Sequence, residues 1–330
     1  MDLVYYQTEC PNFGDDLNKD IWPALAPQLF EDGDHDTAFV GIGTVIGMNR
    51  LSQRRIVVFS SGAGNDPPSA WADREVHYQC VRGPVTARLL NLPASAAITD
   101  GALLTPLTPG FPQAATRGGG ICVIPHFQTI VTGGWEESCA LAGMRLVDPR
   151  GSTQEVVRQI AGADMVLTES LHGAILADTY GVPWRAFMTS GNFGVAKWID
   201  WTASVQLPLD LTVLPPPNAL PLLRYGRCRA PLGHIASYGV DDAMRLLQLR
   251  LSSQRKRAWD HRRIVREIMA AVPALQKPLG LKAERTAAAL ADMAGHPGFV
   301  SQPTLRQALT ERMLDALSAV TASPSRRAYA

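Results

Sequence analysis

Short apolar runs recur along the first 240 residues, each followed by a glycine or polar turn, and this pattern predicts buried strands that alternate with helices. In the first hundred residues the runs cover 3–6, 37–42, 55–61, 75–80 and 96–99, and helical patterns cover 16–25 and 84–91. Beyond residue 120 the runs cover 121–127, 145–148, 163–167 and 184–188. Their spacing of about twenty residues is typical of βαβ units.

Two further features divide this pattern. A helix is predicted to follow Ser152, because Ser152 and Glu155 have capping-box spacing and Gly162 supplies a stop. The stretch 105–120 is rich in Pro, Thr and Gly and interrupts the strands. We therefore predict an α/β protein with two Rossmann-like doubly wound domains and a helical extension, divided as 1–108, a linker at 109–119, 120–240 and 241–330.

Charge separates the last ninety residues from the rest. Residues 241–330 hold 15 Lys and Arg against 8 Asp and Glu, whereas the whole chain has a net charge of +1. The densest stretch, 250–269, lacks Pro and Gly and is predicted to be helical. Two interpretations stay open: a solvated face on a packing helix, or contact with anionic lipid or a lipid-linked diphosphate.

Composition excludes several classes of protein. With 46% hydrophobic and 18% charged residues the chain is globular, and it has no uninterrupted apolar run long enough to span a membrane. The N-terminus lacks a basic and apolar leader, so we expect a cytoplasmic protein, and contact with lipid would place it peripherally at the inner face of the membrane. The five cysteines form no CxxC pair and are expected to be reduced, with Cys122 in the core. We expect no nucleic-acid partner.

Glycine clusters after two predicted strands invite a nucleotide-binding interpretation. In 41–47 the third glycine is one position late for GxGxxG, and the strand that follows ends without a ribose-binding acid. The chain also has no GxxxxGK[ST] sequence, so neither an NAD site nor a Walker loop is predicted. The turns around Gly43 and at 60–65 serve either close backbone packing or one border of a ligand cleft.

The stretch 168–184, TESLHGAILADTYGVPW, combines a strand end, a histidine and a helix. The apolar run 163–167 ends before it, and Gly181 with Pro183 closes the helix. His172 is therefore predicted at the carboxyl edge of a parallel sheet, where ligands bind and free helix amides attract anions.

Several motifs together resemble the polysaccharide pyruvyl transferase family. In chain order they are NFGDDLN (12–18), GIGT, SSGAGN, VRGPVTARLL (81–90), ITDGALL (98–104), ESLHGAILADTYGVP (169–183) and KWIDWTAS (197–204). The resemblance spans residues 3–205 and depends on the order and spacing of these motifs. It implies a fold like that of GT-B glycosyltransferases, with the acceptor on the N-terminal side and the donor on the C-terminal side. Many members have arginine directly before the Leu-His pair, where this chain has Ser170.

The implied activity is transfer of a pyruvyl group from phosphoenolpyruvate to a sugar as a cyclic ketal, during exopolysaccharide or cell-wall polymer assembly. The acceptor is expected to be a lipid-linked oligosaccharide, and no cofactor is expected beyond the donor substrate. Phosphoenolpyruvate carries a phosphate and a carboxylate, so its pocket needs cations and oriented amides. Arg82 and Lys197 are the candidate cations, with an ion pair as the alternative for Arg82. Ser170, Gly173, Asp100 and Gly43 are further candidate substrate-binding residues.

Ketal formation needs general acid and base groups. His172 is the first candidate, since a helix N-terminus lowers the pKa of a histidine and keeps its imidazole neutral; the alternative is a histidine that caps its own helix. Asp15 and Asp16 are candidates for orienting the acceptor or moving a proton, and the alternative is a helix cap. Asp100 is either part of the site or a turn aspartate. No cluster has metal-ligand spacing, so no metal is predicted.

Two other classes of function fit the same pattern: a nucleotide-sugar glycosyltransferase of the same shape, and a non-catalytic scaffold of a polymer-assembly complex.

Overall fold

The computed structural model describes residues 1–31, 33–228, 232–233, 235–254 and 280–322. It is a mixed α/β structure with two sheets, which confirms the predicted α/β class. The strands are β1 (Asp2–Val4), β2 (Thr37–Val40), β3 (Arg55–Ser61), β4 (Glu75–Val81), β5 (Ile121–Ile124), β6 (Arg145–Leu146), β7 (Met165–Thr168), β8 (Trp184–Met188), β9 (Leu209–Val213) and β10 (Ile235–Tyr238).

The helices connect and cover these sheets. They are α1 (Phe13–Leu25), α2 (Pro84–Leu89), α3 (Trp135–Leu141), α4 (Thr153–Ala161), α5 (Leu171–Thr179), α6 (Val195–Ser204), α7 (Leu220–Tyr225), α8 (Val240–Gln254), α9 (Ala283–Ala294) and α10 (Pro303–Ala322). Short 3-10 turns include Ala94–Ala96 and Gly101–Leu107. Most of the basic stretch 250–269 lies outside the described residues.

The first sheet has the order β1-β2-β3-β4, and all of its pairs are parallel. The second has the order β10-β9-β8-β7-β5-β6 and is parallel except for β10. Parallel strands bring their carboxyl ends to one edge of a sheet, so the segments that follow β1 to β5, β7 and β8 are the ones that can form a site. Of the three hydrophobic clusters in the described residues, one includes residues of both sheets, from Phe13 and Phe59 to Trp184 and Met313.

Local sequence explains most element boundaries. Ser152 caps α4, since its Oγ accepts a hydrogen bond from the N–H of Glu155 at 3.4 Å, and Gly162 ends this helix as predicted. Trp198 and Trp201 of α6 are buried in the core, and so is Cys122. The five cysteines are all unpaired.

The prediction of a strand at 96–99 is wrong. Ala97 forms only one isolated bridge, with Val81. The chain reaches this bridge from the 3-10 turn Ala94–Ala96, and Asp100 then begins another 3-10 turn, so there is no room for a ladder. Because the chain leaves the sheet after this bridge, Asp100 lies near the start of α5, where its Oδ2 is 3.8 Å from Nε2 of His172.

None of the helices in the described part of the chain is both long and apolar enough to cross a bilayer.

Candidate active site

His172 lies at the second position of α5, directly after the carboxyl end of β7, as the sequence predicts. Its side chain is buried and its Nε2 has no hydrogen-bond partner among the described residues. Nε2 lies 3.8 Å from Oδ2 of Asp100, which is also buried and unpartnered. Two buried polar atoms without partners are costly, and together they indicate a place where a ligand or a proton is handled.

The imidazole of His172 rests on a glycine of the first turn of α1. A Cβ at Gly14 would lie 2.0 Å from Nδ1 of His172, so only glycine fits between the helix and the ring. Phe13 anchors the same turn, because its N–H donates to the carbonyl of Pro149 at 3.0 Å. The NFGDDLN motif near the N-terminus therefore contacts the ESLHG motif of the second sheet.

Asp15 projects from this turn of α1 toward the end of β2. Its Oδ2 accepts a hydrogen bond from Asn12 at 2.6 Å, and its Oδ1 lies 3.3 Å from the position of a Cβ on Gly43, where φ is +122°. Asn18 fixes the register of α1 on β2, since it both donates to and accepts from the backbone of Ile42. Gly43 is thus brought to Asp15.

Asp16 points away from this contact and forms an ion pair with Lys19 at 3.6 Å. The side chain of Asp16 is about a quarter exposed, at 26%. Of the two candidate aspartates, Asp15 is the one that faces the end of β2.

The charges around His172 shift its pKa and those of its neighbours. Burial lowers the pKa of His172 to about 3, and the cations Lys197 and Arg82 add to this effect. The direction is the predicted one, but burial rather than the helix start is the main cause. Burial raises the pKa of Asp15 to about 7 and that of Asp100 to about 6. Burial lowers the pKa of Lys197 to about 8, so this residue still carries charge at neutral pH.

Asp100 caps a turn and also faces His172, so its position is compatible with both of the interpretations considered for it. Its Oδ1 caps the 3-10 turn by accepting from the N–H of Ala102 at 3.0 Å, while its Oδ2 faces His172. Ser60 lies beside the next residue, since a Cβ at Gly101 would be 2.6 Å from its Oγ; Ser60 is fully buried with φ of +66°, and its hydroxyl has no partner among the described residues. A non-glycine residue in this conformation is strained, and such strain clusters at functional sites.

Arg82 is fully buried and pairs with Asp200 of α6 at 3.1 Å. Its Nη1 donates to Oγ1 of Thr44 at 2.9 Å, and its Nη2 has no hydrogen-bond partner in the described part of the structure. Asp200 also accepts from the N–H and hydroxyl of Thr86. The structure therefore contains the ion pair that was the alternative for Arg82, and a role as anion ligand remains a prediction.

Two of the other candidates have mainly structural contacts. A Cβ at Gly173 would lie 2.6 Å from Oγ1 of Thr168, so this glycine allows α5 to pack closely on β7. Ser170 lies at the N-cap of α5 without a capping side-chain bond, but its N–H donates to Oγ1 of Thr168 at 2.9 Å and its carbonyl accepts from the same hydroxyl at 3.0 Å.

A cavity of about 800 Å³ adjoins this cluster. Its lining includes Thr44, the turn at 63–65 and residues 190–197. Asp242, Arg245 and Arg250 of α8 also line it. Lys197 belongs both to the cavity lining and to the charges that act on His172 and Asp15.

Sequence reasoning missed His126, which follows the carboxyl end of β5. Its Nδ1 accepts from the N–H of Gln128 at 3.3 Å and lies 3.4 Å from Nδ2 of Asn192. Burial lowers its pKa to about 3, with a contribution from Lys197. A histidine at the end of a buried run, in ICVIPHF, was the available signal. Asp200 was missed too, although a carboxylate in an apolar helix implies a buried partner.

The described residues contain no group of three His, Cys, Asp or Glu side chains arranged to hold a metal ion.

Comparison with known families confirms the resemblance seen in the sequence. Residues 111–191, which include the loop after β5 and the ESLHG motif, match the family model described as Polysaccharide pyruvyl transferase. The chain is also similar to a particular protein, the Succinoglycan biosynthesis protein ExoV of Rhizobium meliloti (strain 1021), with 33% identity over 207 residues. This match covers 62% of the present chain and 65% of the relative's length.

Proposed function

We propose that this protein transfers a pyruvyl group from phosphoenolpyruvate to two hydroxyls of a sugar in an exopolysaccharide repeat unit, forming a cyclic ketal. The main observation in support is the unpartnered Nε2 of buried His172, 3.8 Å from Asp100 and within the electrostatic reach of Lys197. The matches to the pyruvyl transferase family model and to a succinoglycan biosynthesis protein support the same activity.

The reaction sets the requirements for these side chains. Two sugar hydroxyls form bonds to C2 of the enolpyruvate, the bond from C2 to the phosphate oxygen breaks, and C3 becomes a methyl group. In the overall reaction, the two hydroxyls release two protons: one is added to C3, and the other leaves with the phosphate. The site must therefore accept protons from hydroxyls, donate one to carbon and stabilise a negatively charged leaving group.

We assign these tasks as follows. Neutral His172 accepts a hydroxyl proton at Nε2, and a bound anion near Lys197 and Arg82 strengthens it as a base by offsetting the two positive charges. Asp15, whose pKa is raised to about 7, holds a proton near neutral pH and donates it to C3. Asp100 orients the imidazolium that forms, and Asp16 is the weaker candidate because it pairs with Lys19.

The finer architecture is also part of this proposal. The domains 1–108 and 120–240 would form a GT-B-like pair, with the acceptor on the first domain and the donor on the second. The presence of two separate sheets, one on each side of the segment 109–119, supports this arrangement. The basic residues of 241–330 would bring the protein to the cytoplasmic face of the membrane and to a lipid-linked acceptor; their excess of Lys and Arg supports this. We propose that neither a metal nor a cofactor takes part.

Ligand-dependent unfolding tests the donor. A ligand that binds only the folded state raises its stability by about 2.7 kcal/mol at one hundred times its Kd. We expect phosphoenolpyruvate to raise the melting temperature and UDP-sugars to leave it unchanged. A shift with UDP-sugars alone would favour a glycosyltransferase, and no shift with either would favour a scaffold.

A further inference from the structure

The loop TSGNFG, residues 189–194, connects the carboxyl end of β8 to the start of α6. Every residue from 190 to 197 lines the cavity. Close packing fixes the beginning of the loop, since a Cβ at Gly191 would lie 2.6 Å from the carbonyl oxygen of Tyr225. One wall of the cavity is therefore a strand-to-helix loop together with the first turn of a helix.

Ser190 has a feature that packing does not explain. The residue is fully buried, and its hydroxyl has no hydrogen-bond partner among the described residues. The preceding residue differs, because the hydroxyl and N–H of Thr189 both donate to Glu169. A buried hydroxyl in a cavity wall without a partner in the protein indicates a partner in the ligand.

The start of α6 supplies further donors. Gly194 is its N-cap and has no side chain to accept a hydrogen bond, and the N–H groups of Gly194, Val195 and Ala196 donate to no described acceptor. Lys197, in the first turn, is the only cation on residues 190–197. Free helix amides, an unpartnered hydroxyl and a lysine on one wall form the chemistry of a phosphate site.

We infer that the phosphate of the donor binds here, to Ser190 Oγ, the N–H groups that begin α6 and Lys197. This inference rests on the proposed function for the identity of the donor, whereas binding of a phosphate group does not depend on it. Arg82, the arginine that the sequence suggested for this task, uses Nε and Nη1 to bind Asp200 and Thr44, which leaves only Nη2 without a described partner. The negative charge of the donor phosphate would then lie at the cavity wall rather than at the buried pair of Arg82 and Asp200.

Gly194→Asp tests the site with little risk to folding. Aspartate is a favoured N-cap residue and the φ of Gly194, −91°, is accessible to it; the added Cβ meets only the flexible chain of Lys197, at 3.1 Å or more. The carboxylate would occupy the position proposed for phosphate. We expect the Kd for inorganic phosphate, measured by calorimetry, to rise at least about 100-fold because of the like charge.

Gly194→Ser is the matched control, because it adds a Cβ and a capping oxygen without charge. It should retain phosphate binding within about tenfold. Equal phosphate affinity in wild type and both variants would overturn the inference, and so would equal loss in both variants.

Ser190→Ala tests the hydroxyl directly. We expect its Kd values for inorganic phosphate and for phosphoenolpyruvate to rise by about tenfold or more, since a hydrogen bond to a charged group is lost. Thr212→Val is the control: its hydroxyl is likewise buried without a described partner, but Thr212 does not line the cavity. Unchanged phosphate affinity in Ser190→Ala would contradict the inference.

The two proposals fail in different ways. Phosphate binding that depends on Ser190 and on the charge at 194, without any use of phosphoenolpyruvate, would refute the proposed function and keep the phosphate site. Transfer from phosphoenolpyruvate, with unchanged phosphate affinity in Gly194→Asp and Ser190→Ala, would support the proposed function and refute the phosphate site.

Discussion

At the scale of single residues, His172 carries the chemical part of the proposal. Its ring lies between Gly14 and Asp100, its Nε2 has no hydrogen-bond partner among the described residues, and the N-cap position of α5 is occupied by Ser170. For His172→Gln we expect kcat to fall by about 10² to 10⁴ because proton exchange is lost, while the free energy of unfolding stays close to that of wild type. Thermal unfolding and single-turnover rates on the same preparation measure both quantities. A destabilised variant with full turnover per folded molecule would reassign His172 to structure.

Asp100 gives the fold a pH dependence that can be separated from catalysis. Its pKa is raised from 3.8 to about 6 by burial, so between these pH values the folded state keeps a proton that the unfolded state has lost. The contribution of Asp100 to stability is therefore greatest below the lower value and decreases as the pH rises through about 6.

Asp100→Asn removes this dependence. We expect the difference in unfolding free energy, variant minus wild type, to increase as the pH is raised from about 4 to about 6. Urea denaturation at several pH values measures it, with Asp73→Asn on the surface as the control for a general effect of the substitution. A difference that is constant with pH would mean that Asp100 is ionised in the folded protein throughout this range.

At the scale of elements, α1 and α5 meet through a glycine. Alanine is usually preferred to glycine inside a helix by about 0.5–1 kcal/mol. At position 14 we expect alanine to lower the free energy of unfolding instead, because the new Cβ would overlap the ring of His172 and overpacking costs about 1–3 kcal/mol. Gly14→Ala should also lower kcat, because the imidazole of His172 must move. Lys19→Ala, on the exposed side of α1, is the control and should change neither kcat nor the free energy of unfolding. A stabilised and fully active Gly14→Ala variant would show that α1 does not constrain His172.

The pair of Arg82 and Asp200 joins the end of β4 and the start of α2 to α6. Removing one partner of a buried pair leaves an uncompensated charge, so we expect Arg82→Ala to lower the free energy of unfolding by about 3–5 kcal/mol. Arg88→Ala is the matched control from α2, because its ion pair with Asp241 is on the surface and contributes at most about 1 kcal/mol. Similar losses in the two variants, measured by denaturation, would contradict the structural role of Arg82.

Most elements were predictable because their sequences are locally consistent. The run RIVVFSS is β3 over its full predicted length, and Ser152 with Gly162 bounds α4 as expected. The error at 96–99 has a physical cause: an apolar run at the margin of a sheet predicts a strand, but hydrogen bonding to Val81 stops after one bridge because Asp100 turns the chain away. Periodicity does not contain that information.

At the scale of the whole molecule, the site depends on distances along the chain that local patterns do not encode. The sequence predicted His172 and Asp15 separately, yet their proximity requires the start of α1 to contact the edge of the second sheet. An ion pair was the alternative considered for Arg82, but its partner, Asp200, lies 118 residues away and could not be identified from the sequence. The unpartnered hydroxyls of Ser60 and Ser190 also emerge only when burial is known.

Transfer of labelled pyruvyl groups tests the central claim most directly. The full chain would be incubated with carbon-13-labelled phosphoenolpyruvate and lipid-linked repeat units, and the products would be analysed by mass spectrometry together with a phosphate assay. We predict that the acceptor gains one labelled pyruvyl ketal for each inorganic phosphate released, and that His172→Gln slows both in parallel. Intact acceptor with no acceptor-dependent phosphate release, from a protein shown to be folded, would contradict the proposed function.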